Sequence, residues 1–301
     1  MIIDNNVEIF SPLKKGINVL SLFDGMSCGQ IALERAGIKV NKYYAAEIDK
    51  YAIKITQKNY PKTVQLGDIT KIKGFDFKNK IDIIIGGSPC QGFSFAGDQL
   101  NFEDPRSKLF FDFARLLREI KPKYFLLENV VMRQEIQDAI SDLLGEIYPE
   151  AVKQTDLLKI KRLEPVKINS ALVSAQNRKR LYWTNIKDIK QPEDKKIFLK
   201  DILETKELFV RVSKKSRLKK GVFKSSCLTA GGHSGGNHSD MDIIAYSDGQ
   251  CKRYSVIECE RLQAVPDNYT AGVSKTQRYK MLGNGWTVDV IAHIFKNLKV
   301  E

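Results

Sequence analysis

The chain has 301 residues, of which 43% are hydrophobic and 28% are charged, and its formal net charge at pH 7 is +13. This composition is ordinary for a globular protein of roughly two domains, and the lack of any run of about 18 apolar residues argues against a membrane span. The five cysteines include no CxxC pair, which argues against a disulfide framework or a zinc site and favours a reducing compartment. Since no secretory signal is visible at the start of the chain, we expect a cytoplasmic protein.

Apolar runs that alternate with helical patterns predict an α/β fold with a doubly wound, mostly parallel sheet. The predicted strands cover residues 19–23, 43–47, 64–66, 81–85 and 124–127. The predicted helices cover residues 30–36, 49–59, 106–120 and 135–147, and helical patterns return at 255–262 and 288–298. From about residue 185 to 252 no helical period is sustained, which indicates a small irregular second domain. The predicted organisation is therefore a main domain in residues 1–184, a second domain in 185–252 and a return to the main domain in 253–301.

Basic residues are concentrated in one block of this second domain. Seven of the fourteen residues from 211 to 224 are Lys or Arg, and none is acidic. A lysine-rich, solubilising surface would explain the total charge equally well, but such a block is typical of phosphate neutralisation on a nucleic acid.

The apolar run 81–85 ends in the sequence Gly86-Gly87-Ser88-Pro89-Cys90. The two glycines permit a sharp turn, and Pro89 stiffens it. Cys90 is thereby expected just past the carboxyl end of a strand, where open α/β sheets bind ligands. Taken alone, this cysteine would more simply be incidental, because free cysteines are usually inert.

Further short motifs accompany this turn in a characteristic order. The chain contains Phe23-Asp24-Gly25, Pro89-Cys90, Glu128-Asn129-Val130, Gln176-Asn177-Arg178-Lys179-Arg180 and Gly283-Asn284-Gly285. In order and rough spacing, they resemble the motifs of the cytosine-C5 DNA methyltransferases, and the resemblance extends from about Asn18 to Leu298. The first motif, Trp286 and the short second domain look closer to the animal de novo enzymes, although we expect a prokaryotic or phage source.

The resemblance implies the S-adenosylmethionine-dependent methyltransferase fold, with the second domain as the target-recognition domain. It implies transfer of a methyl group from S-adenosyl-L-methionine to C5 of a cytosine flipped out of duplex DNA, with S-adenosyl-L-homocysteine as the product. Cytosine C5 is a poor nucleophile until a thiolate adds to C6, and this role falls to Cys90. The resemblance implies that Glu128 contacts N3 and the exocyclic amine of the cytosine. It also implies that Arg178 and Arg180 contact the cytosine O2 and the flanking DNA phosphates. In isolation, Glu128 would more simply cap a helix, and the two arginines would belong to a solvated surface.

The resemblance also implies a cofactor site at three strand ends. The first loop is neither a GxGxxG fingerprint nor a phosphate loop. It departs from the family pattern Phe-x-Gly-x-Gly-Gly at Ser27 and Cys28, a variation that we expect Gly29 to accommodate by relieving the backbone. Each carboxylate alone would more often be a turn or helix cap. The predicted cofactor-binding residues are Phe23, Asp24, Gly25, Met26, Ser27, Cys28, Gly29, Glu47 (ribose), Ile48 (adenine face), Asp68 (adenine amino group), Ile69, Ser88, Pro89, Leu109, Asn284 and Trp286.

Duplex DNA is the predicted partner, and extrusion of the target base from the stack is expected. The segment 91–108 is long enough to close over such a base, and the glycine-rich stretch after Cys227 could enter the major groove, although a disordered loop would explain that stretch equally well. The predicted DNA-binding residues are Ser94, Gln99, Lys214, Lys215, Lys219, Lys220, Thr229, Gly231 and Gly232. His233 and His238 lack the companion ligands of a metal site, so no metal is expected.

Two other functions are compatible with the same motifs. One is a catalytically silent DNA-binding relative, which the irregular first loop alone favours. The other is an RNA cytosine-C5 methyltransferase, which the sequence Gln91-Gly92-Phe93-Ser94 disfavours. A cognate restriction endonuclease is a candidate partner, and a monomer is slightly favoured over an oligomer.

Overall fold

The computed structural model describes residues 16–89, 105–152, 162–205, 209–212, 218–219, 223–231, 242–246 and 249–299. For residues 105–107, 209–212 and 218–219 it describes the backbone alone.

A seven-stranded sheet forms the centre of the main domain. In chain order its strands are β1 (Ile17–Leu22), β2 (Val40–Ala46), β3 (Val64–Gln65), β4 (Ile83–Gly86), β5 (Tyr124–Val130), β6 (Val166–Asn169) and β7 (Lys179–Thr184). Their spatial order is β3-β2-β1-β4-β5-β7-β6. The first five strands are parallel to one another, whereas β7 runs antiparallel to both β5 and β6. The predicted doubly wound, mostly parallel sheet is thus confirmed.

Helices surround this sheet and connect its strands. They are α1 (Cys28–Arg35), α2 (Lys50–Asn59), α3 (Pro105–Ile120), α4 (Gln134–Ile147), α5 (Leu199–Ile202), α6 (Val256–Leu262), α7 (Lys275–Asn284) and α8 (Val288–Phe295). Short 3₁₀ helices cover Ile69–Lys71, Gly74–Phe77, Pro149–Ala151 and Ser170–Leu172. The sequence did not predict α7. Ser274 caps its N-terminus, since the Ser274 side chain accepts a hydrogen bond from the backbone N–H of Gln277.

Two hydrophobic cores lie on opposite faces of the sheet. Along β1, Val19 packs into the core with α1 and α8, while its neighbour Leu20 packs into the core with α3 and α4. This follows from the strand geometry, since successive side chains point to opposite faces. All residues of β4 are buried for the same reason, because a parallel sheet covered by helices is apolar on both sides.

A second, smaller sheet lies within the region predicted to be irregular. Its strands are β8 (Phe209–Val212), β9 (Leu218–Lys219), β10 (Ile243–Tyr246) and β11 (Cys251–Arg253), in the spatial order β11-β10-β8-β9. Every pairing in this sheet is antiparallel. No alternating pattern in the sequence indicated it, and the domain boundary expected at residue 252 falls within β11.

The parallel strands bring their carboxyl ends to one edge of the large sheet. The loops that follow β1, β2, β3 and β4 therefore meet there, and they contain most of the residues predicted to bind a cofactor. Open α/β sheets place ligand sites at this edge.

Candidate active site

A cavity of about 440 Å³ opens at the carboxyl edge of the sheet. All of the predicted cofactor-binding residues except Ser27 and Gly29 line it, and so do Glu128, Arg178 and Arg180. The structure therefore brings the residues predicted for the cofactor and for the target base into one space. Its volume is within the usual range of small-molecule sites.

The loop between β1 and α1 is held in an uncommon backbone conformation by buried hydrogen bonds. Ser27 has a φ of 62°, in the left-handed region that favours glycine. Its hydroxyl donates to the Asp24 carboxylate and accepts from Gln30 Nε2 and Thr56 Oγ1, each at 3.2 Å. These bonds compensate for a backbone strain on the order of 1–2 kcal/mol. The loop thus tolerates a serine in place of the family glycine.

Gly29 has a different role from the one the sequence suggested. It lies inside α1, where it does not relieve the loop backbone. A Cβ atom there would lie 2.6 Å from Ile85 Cδ1 and 2.8 Å from the Tyr43 hydroxyl oxygen. Gly29 therefore lets the helix pack closely against the sheet.

Asp24 is an unusual acid at the centre of this loop. Burial raises the pKa of Asp24 to about 6, and the nearby Glu47 charge contributes to the rise. Hydrogen bonds from Ser27 and from the Tyr43 hydroxyl, which lies 2.8 Å away, oppose this shift. Asp24 therefore exchanges its proton close to neutral pH.

The carboxylate of Glu47 joins the ends of β1 and β2. Oε2 accepts a hydrogen bond from the backbone N–H of Gly25 at 2.8 Å. Oε1 accepts from the backbone N–H groups of Ile48 and Asp49, also at 2.8 Å. The adjacent Ile48 side chain is 78% exposed and offers an apolar face at the cavity.

Asp68 caps the 3₁₀ helix that follows β3. Its Oδ1 accepts from the backbone N–H of Thr70 at 3.0 Å and from the Thr70 hydroxyl at 2.9 Å. These hydrogen bonds lower the pKa of Asp68 and keep it ionised. The sequence presented a helix cap and a cofactor-site residue as alternatives for Asp68. In the structure Asp68 both caps the 3₁₀ helix and lines the cavity.

On the opposite side of the cavity, Glu128 is held by two donors. It lies in β5, across from β7, and is 8% exposed. Arg180 Nε lies 3.0 Å from Oε1, and the Trp286 indole Nε1 donates to Oε2 at 3.1 Å. Burial acts to lower the pKa of Arg180, but the Glu128 charge, together with Cys227 and Tyr182, leaves that pKa raised. The family resemblance implied that Glu128 and Arg180 lie near each other, but nothing in the sequence indicated the contact with Trp286.

Arg178 connects three separate segments of the chain. Its Nη1 donates to the Leu228 carbonyl at 2.8 Å, and Nη2 donates to the carbonyls of Gly283 at 3.2 Å and Gly285 at 2.9 Å. The residue is 3% exposed, and burial, followed by the charge of Arg180, lowers its pKa. In this structure Arg178 thus contacts protein groups, while its predicted contact with cytosine or phosphate stays a prediction.

The turn that leads to Cys90 is attached to β5. Asn129 Nδ2 donates to the Ser88 hydroxyl at 3.2 Å and to the Ser88 carbonyl at 3.3 Å. Pro89 lines the cavity, but Cys90 lies outside the described residues. Cys28, which also lines the cavity, is a poor nucleophile because burial raises the pKa of its thiol to about 12.

The predicted DNA-binding residues are only partly described. Thr229 and Gly231 lie in a segment that packs against the end of α7, and Lys219 belongs to β9, where the backbone alone is described. Ser94, Gln99, Lys214, Lys215, Lys220 and Gly232 lie outside the described residues, as do His233 and His238. Within the described ranges, no group of three or more potential metal ligands occurs. None of the helices in those ranges is long and apolar enough to cross a membrane.

The sheet order and the cavity at its carboxyl edge define a methyltransferase fold. A crystal structure of the S. pombe Dnmt2 methyltransferase superimposes with a TM-score of 0.71 over 93% of this chain and 97% of that chain, at 19% identity. At this identity the likeness shows the fold alone. Residues 17–224 and 132–300 match the model of the C-5 cytosine-specific DNA methylase family, and the chain belongs to that family.

Curated relatives agree with this membership. The type II methyltransferase M.HhaI of Haemophilus parahaemolyticus is 28% identical over 97% of both chains. The type II methyltransferase M1.ScrFI of Lactococcus lactis subsp. cremoris is 29% identical over 93% of this chain and 77% of its own length. The chain is thus a DNA cytosine-C5 methyltransferase by family, and a methyltransferase of this kind uses a methyl donor.

The described residues fit S-adenosylmethionine as that donor. The exposed Ile48 side chain suits an adenine face, and the carboxylates of Glu47 and Asp68 suit hydroxyl and amino groups. Acidic side chains predominate in the part of the cavity around Glu47 and Asp68, and their negative charge favours the cationic sulfonium centre of the donor.

Proposed function

We propose that the chain transfers a methyl group from S-adenosyl-L-methionine to C5 of a cytosine flipped out of duplex DNA, as a DNA (cytosine-5-)-methyltransferase. The reaction proceeds through a covalent adduct between Cys90 and cytosine C6. The observation that supports it is that the predicted cofactor residues line the same cavity as Glu128, Arg178 and Arg180. Pro89, which directly precedes Cys90, belongs to the wall of this cavity.

Cys90 begins the proposed reaction by attacking the pyrimidine ring. Its thiolate forms a bond to C6, the C5–C6 double bond is lost, and electron density moves to C5. Glu128 accepts a hydrogen bond from the exocyclic amine and donates a proton to N3, which neutralises the negative charge that develops in the ring; the proton returns to Glu128 when the ring is restored. When bound, S-adenosylmethionine supplies the electrophilic methyl group. Loss of the C5 proton to a base and cleavage of the S–C6 bond then restore the ring and release the thiolate.

Arg180 orients Glu128 through their ion pair, in which Nε and Oε1 are 3.0 Å apart. Its guanidinium retains further N–H groups for cytosine O2 or a flanking phosphate. Extrusion of the target base costs a few kcal/mol in unstacking and unpairing. Contacts of this kind, made only with the extruded base, would offset that cost.

DNA recognition is assigned to the second domain, residues 185–252, with the main domain formed by residues 1–184 and 253–301. The basic block of residues 211–224 supports this assignment, since seven of its residues are Lys or Arg. The relatives M.HhaI and M1.ScrFI are type II methyltransferases. We therefore also propose a cytoplasmic enzyme of a prokaryote or phage, with a cognate restriction endonuclease as the candidate partner.

Bisulfite sequencing of DNA from a host that lacks cytosine methylation tests this function. Cells that express the chain should contain unconverted cytosines at one position of one short sequence, whereas cells with the empty vector should contain none. DNA that is fully converted despite soluble expression would contradict the proposal. Unconverted cytosines in the RNA of the same cells would instead identify an RNA methyltransferase.

A further inference from the structure

The Trp286 indole lines the same cavity as Glu128 and as Asp24, Glu47 and Asp68, whose part of the cavity is here called the cofactor side. Trp286 lies two residues after the end of α7 and lines the cavity. Its Nε1 donates to Glu128 Oε2 at 3.1 Å, while Arg180 Nε lies 3.0 Å from Oε1. Each carboxylate oxygen of Glu128 thus has its own donor, and the two donors come from distant parts of the chain.

Two donors constrain this carboxylate more than one would. The terminal torsion of a glutamate is broad, so a single ion pair leaves the carboxyl plane free to rotate. A second donor on the other oxygen determines the orientation of the plane. Since recognition of cytosine N3 and of its amine depends on that plane, the indole N–H acts on the same geometry that the reaction requires.

Gly87 shows that the surrounding backbone accommodates this contact. A Cβ atom at Gly87 would lie 2.9 Å from Glu128 Oε2 and 3.0 Å from Trp286 Nε1. A side chain at this position would therefore collide with both partners of the hydrogen bond. The glycine of the turn before Cys90 is required for the pair to form.

The other edge of the indole faces the cofactor loop. A Cβ atom at Gly29 would lie 3.8 Å from Trp286 Cζ3, so the ring lies close to the first turn of α1. Gly285, the residue before Trp286, packs closely against Met26. One rigid ring therefore lies beside Gly29, a predicted cofactor residue, and donates through its N–H to the carboxylate predicted to bind cytosine.

We propose that Trp286 is a positioning residue for Glu128, which orients the carboxylate through its indole N–H and connects it to the cofactor loop. The catalytic part of this inference rests on the proposed function, whereas the hydrogen bond itself does not. A spectroscopic experiment and a kinetic experiment separate the two.

The hydrogen bond can be tested without activity, because the chain contains two tryptophans. A ¹⁵N–¹H spectrum should show two indole signals, and Trp286→Phe identifies the signal of Trp286. Glu128→Ala should move that signal, since its hydrogen-bond acceptor is removed, and Glu128→Gln should move it less. The Trp183 indole donates to Ser141 Oγ at 2.9 Å and provides the control, because its signal should stay in place if the variants are folded. An unmoved Trp286 signal in folded Glu128→Ala would overturn the inference and leave the proposed function standing.

The catalytic part is tested by kinetics on the recognised duplex. Loss of one hydrogen bond to a charged group predicts a fall of about tenfold in kcat for Trp286→Phe, whereas KM for S-adenosylmethionine should stay within about twofold. In a Glu128→Gln background the same substitution should cause no further loss, because the two residues act as one unit. A raised KM with unchanged kcat, or independent losses in the double variant, would show that Trp286 merely packs against the cofactor. A wild-type protein without any methylation would refute the proposed function, and the spectrum would still decide whether the hydrogen bond forms.

Discussion

The two sides of the cavity hold their carboxylates in different ways. On the cofactor side, Asp24 and Glu47 accept hydrogen bonds from hydroxyl and backbone N–H groups. The part of the cavity formed by Glu128, Arg178 and Arg180 is here called the cytosine side, after its predicted ligand. There, Glu128 is paired with Arg180 and hydrogen-bonded to Trp286. Neutral donors leave the negative charge largely uncompensated, which suits a cationic ligand, whereas arginines suit a pyrimidine carbonyl and phosphates. One cavity can therefore present two electrostatic environments to two substrates.

The two sides also differ in how far apart their residues lie in the sequence. The carboxylates of the cofactor side, Asp24, Glu47 and Asp68, come from turns that follow β1, β2 and β3. The cytosine side requires β5, β7 and the segment after α7, which are distant along the chain. Substitutions on one side, other than at Trp286, should therefore leave the other side intact, and any such variant that impairs both sides would contradict this division.

The largest effect is expected at Cys90, on which the chemistry of the cytosine side depends. Cys90→Ser should lower the rate of methyl transfer by at least about a thousandfold, because a serine hydroxyl stays protonated at neutral pH. The dissociation constant for S-adenosylmethionine should be unchanged, since the cofactor side is intact. Single-turnover methylation and calorimetry measure the two quantities. Turnover retained in the variant would remove Cys90 from the mechanism.

Gly283 tests the long-range packing of the cytosine side. A Cβ atom there would overlap the backbone of Thr229 and Ala230. Gly283→Ala should therefore lower the free energy of unfolding by about 3 kcal/mol. Gly231 provides a matched control in the segment that it touches, since a Cβ atom at Gly231 meets nothing within 4 Å. Urea denaturation should separate the two variants, and equal stabilities would mean that this junction is looser than the structure indicates.

Asp24 tests the electrostatics of the cofactor side. Its folded-state pKa of about 6 exceeds its ordinary value of 3.8 because of burial. Between these two values the folded protein binds the proton that the unfolded chain releases, so stability falls as the pH rises from about 4 to 6. Asp24→Asn removes this dependence, and its free energy of unfolding relative to wild type should rise by about 2 kcal/mol across that window.

Asp68 provides the control of opposite sign for Asp24. Hydrogen bonds from Thr70 lower its pKa, so the stability that it contributes is lost as the pH falls, and Asp68→Asn should remove that loss. Urea denaturation at several pH values measures both variants. Identical pH profiles for wild type and Asp24→Asn would show that Asp24 is hydrated in solution.

The smallest effect concerns the DNA-binding surface beyond the cavity. Replacing Lys214, Lys215, Lys219 and Lys220 with Gln should reduce the dependence of log K on log salt by about 1 for each lysine that neutralises a phosphate. A matched control replaces four lysines near the amino ends of the parallel strands, on the opposite edge of the sheet: Lys39, Lys42, Lys80 and Lys123. Fluorescence anisotropy with labelled duplex measures both slopes. If only the control set lowered the slope of log K against log salt, the DNA-binding surface would lie at the amino ends of the parallel strands.

The sequence predicted which residues of the cofactor side meet at one edge of the sheet, because these signals are local, while their contacts with a cofactor stay a prediction. Glu47 and Asp68 directly follow apolar runs, and the carboxyl ends of parallel strands necessarily meet at one edge. Local spacing also predicted a helix from residue 49, where the Asp49 side chain caps α2 by accepting from the Tyr51 N–H at 2.9 Å. Local spacing does not depend on how distant segments pack.

The remaining features depend on packing that no local pattern reveals. The antiparallel insertion of β7 beside β5 places Arg180 next to Glu128, and the hydrogen bond from Trp286 follows from the position of the segment after α7. Ser27 in the left-handed region conflicts with local preference, and its buried hydrogen bonds explain why it is tolerated. The second sheet escaped prediction because its strands are short and lie among lysines and glycines.

Covalent trapping tests the central claim most directly. A duplex with 5-fluorocytosine at the methylated position has no C5 proton to lose, so after methyl transfer the enzyme should stay bound through sulfur to C6. The account predicts a complex that survives denaturation, requires S-adenosylmethionine, and carries the modification on Cys90 when its peptides are analysed by mass spectrometry. A methylated product released without any such complex, or a modification on another cysteine such as Cys227, would contradict it.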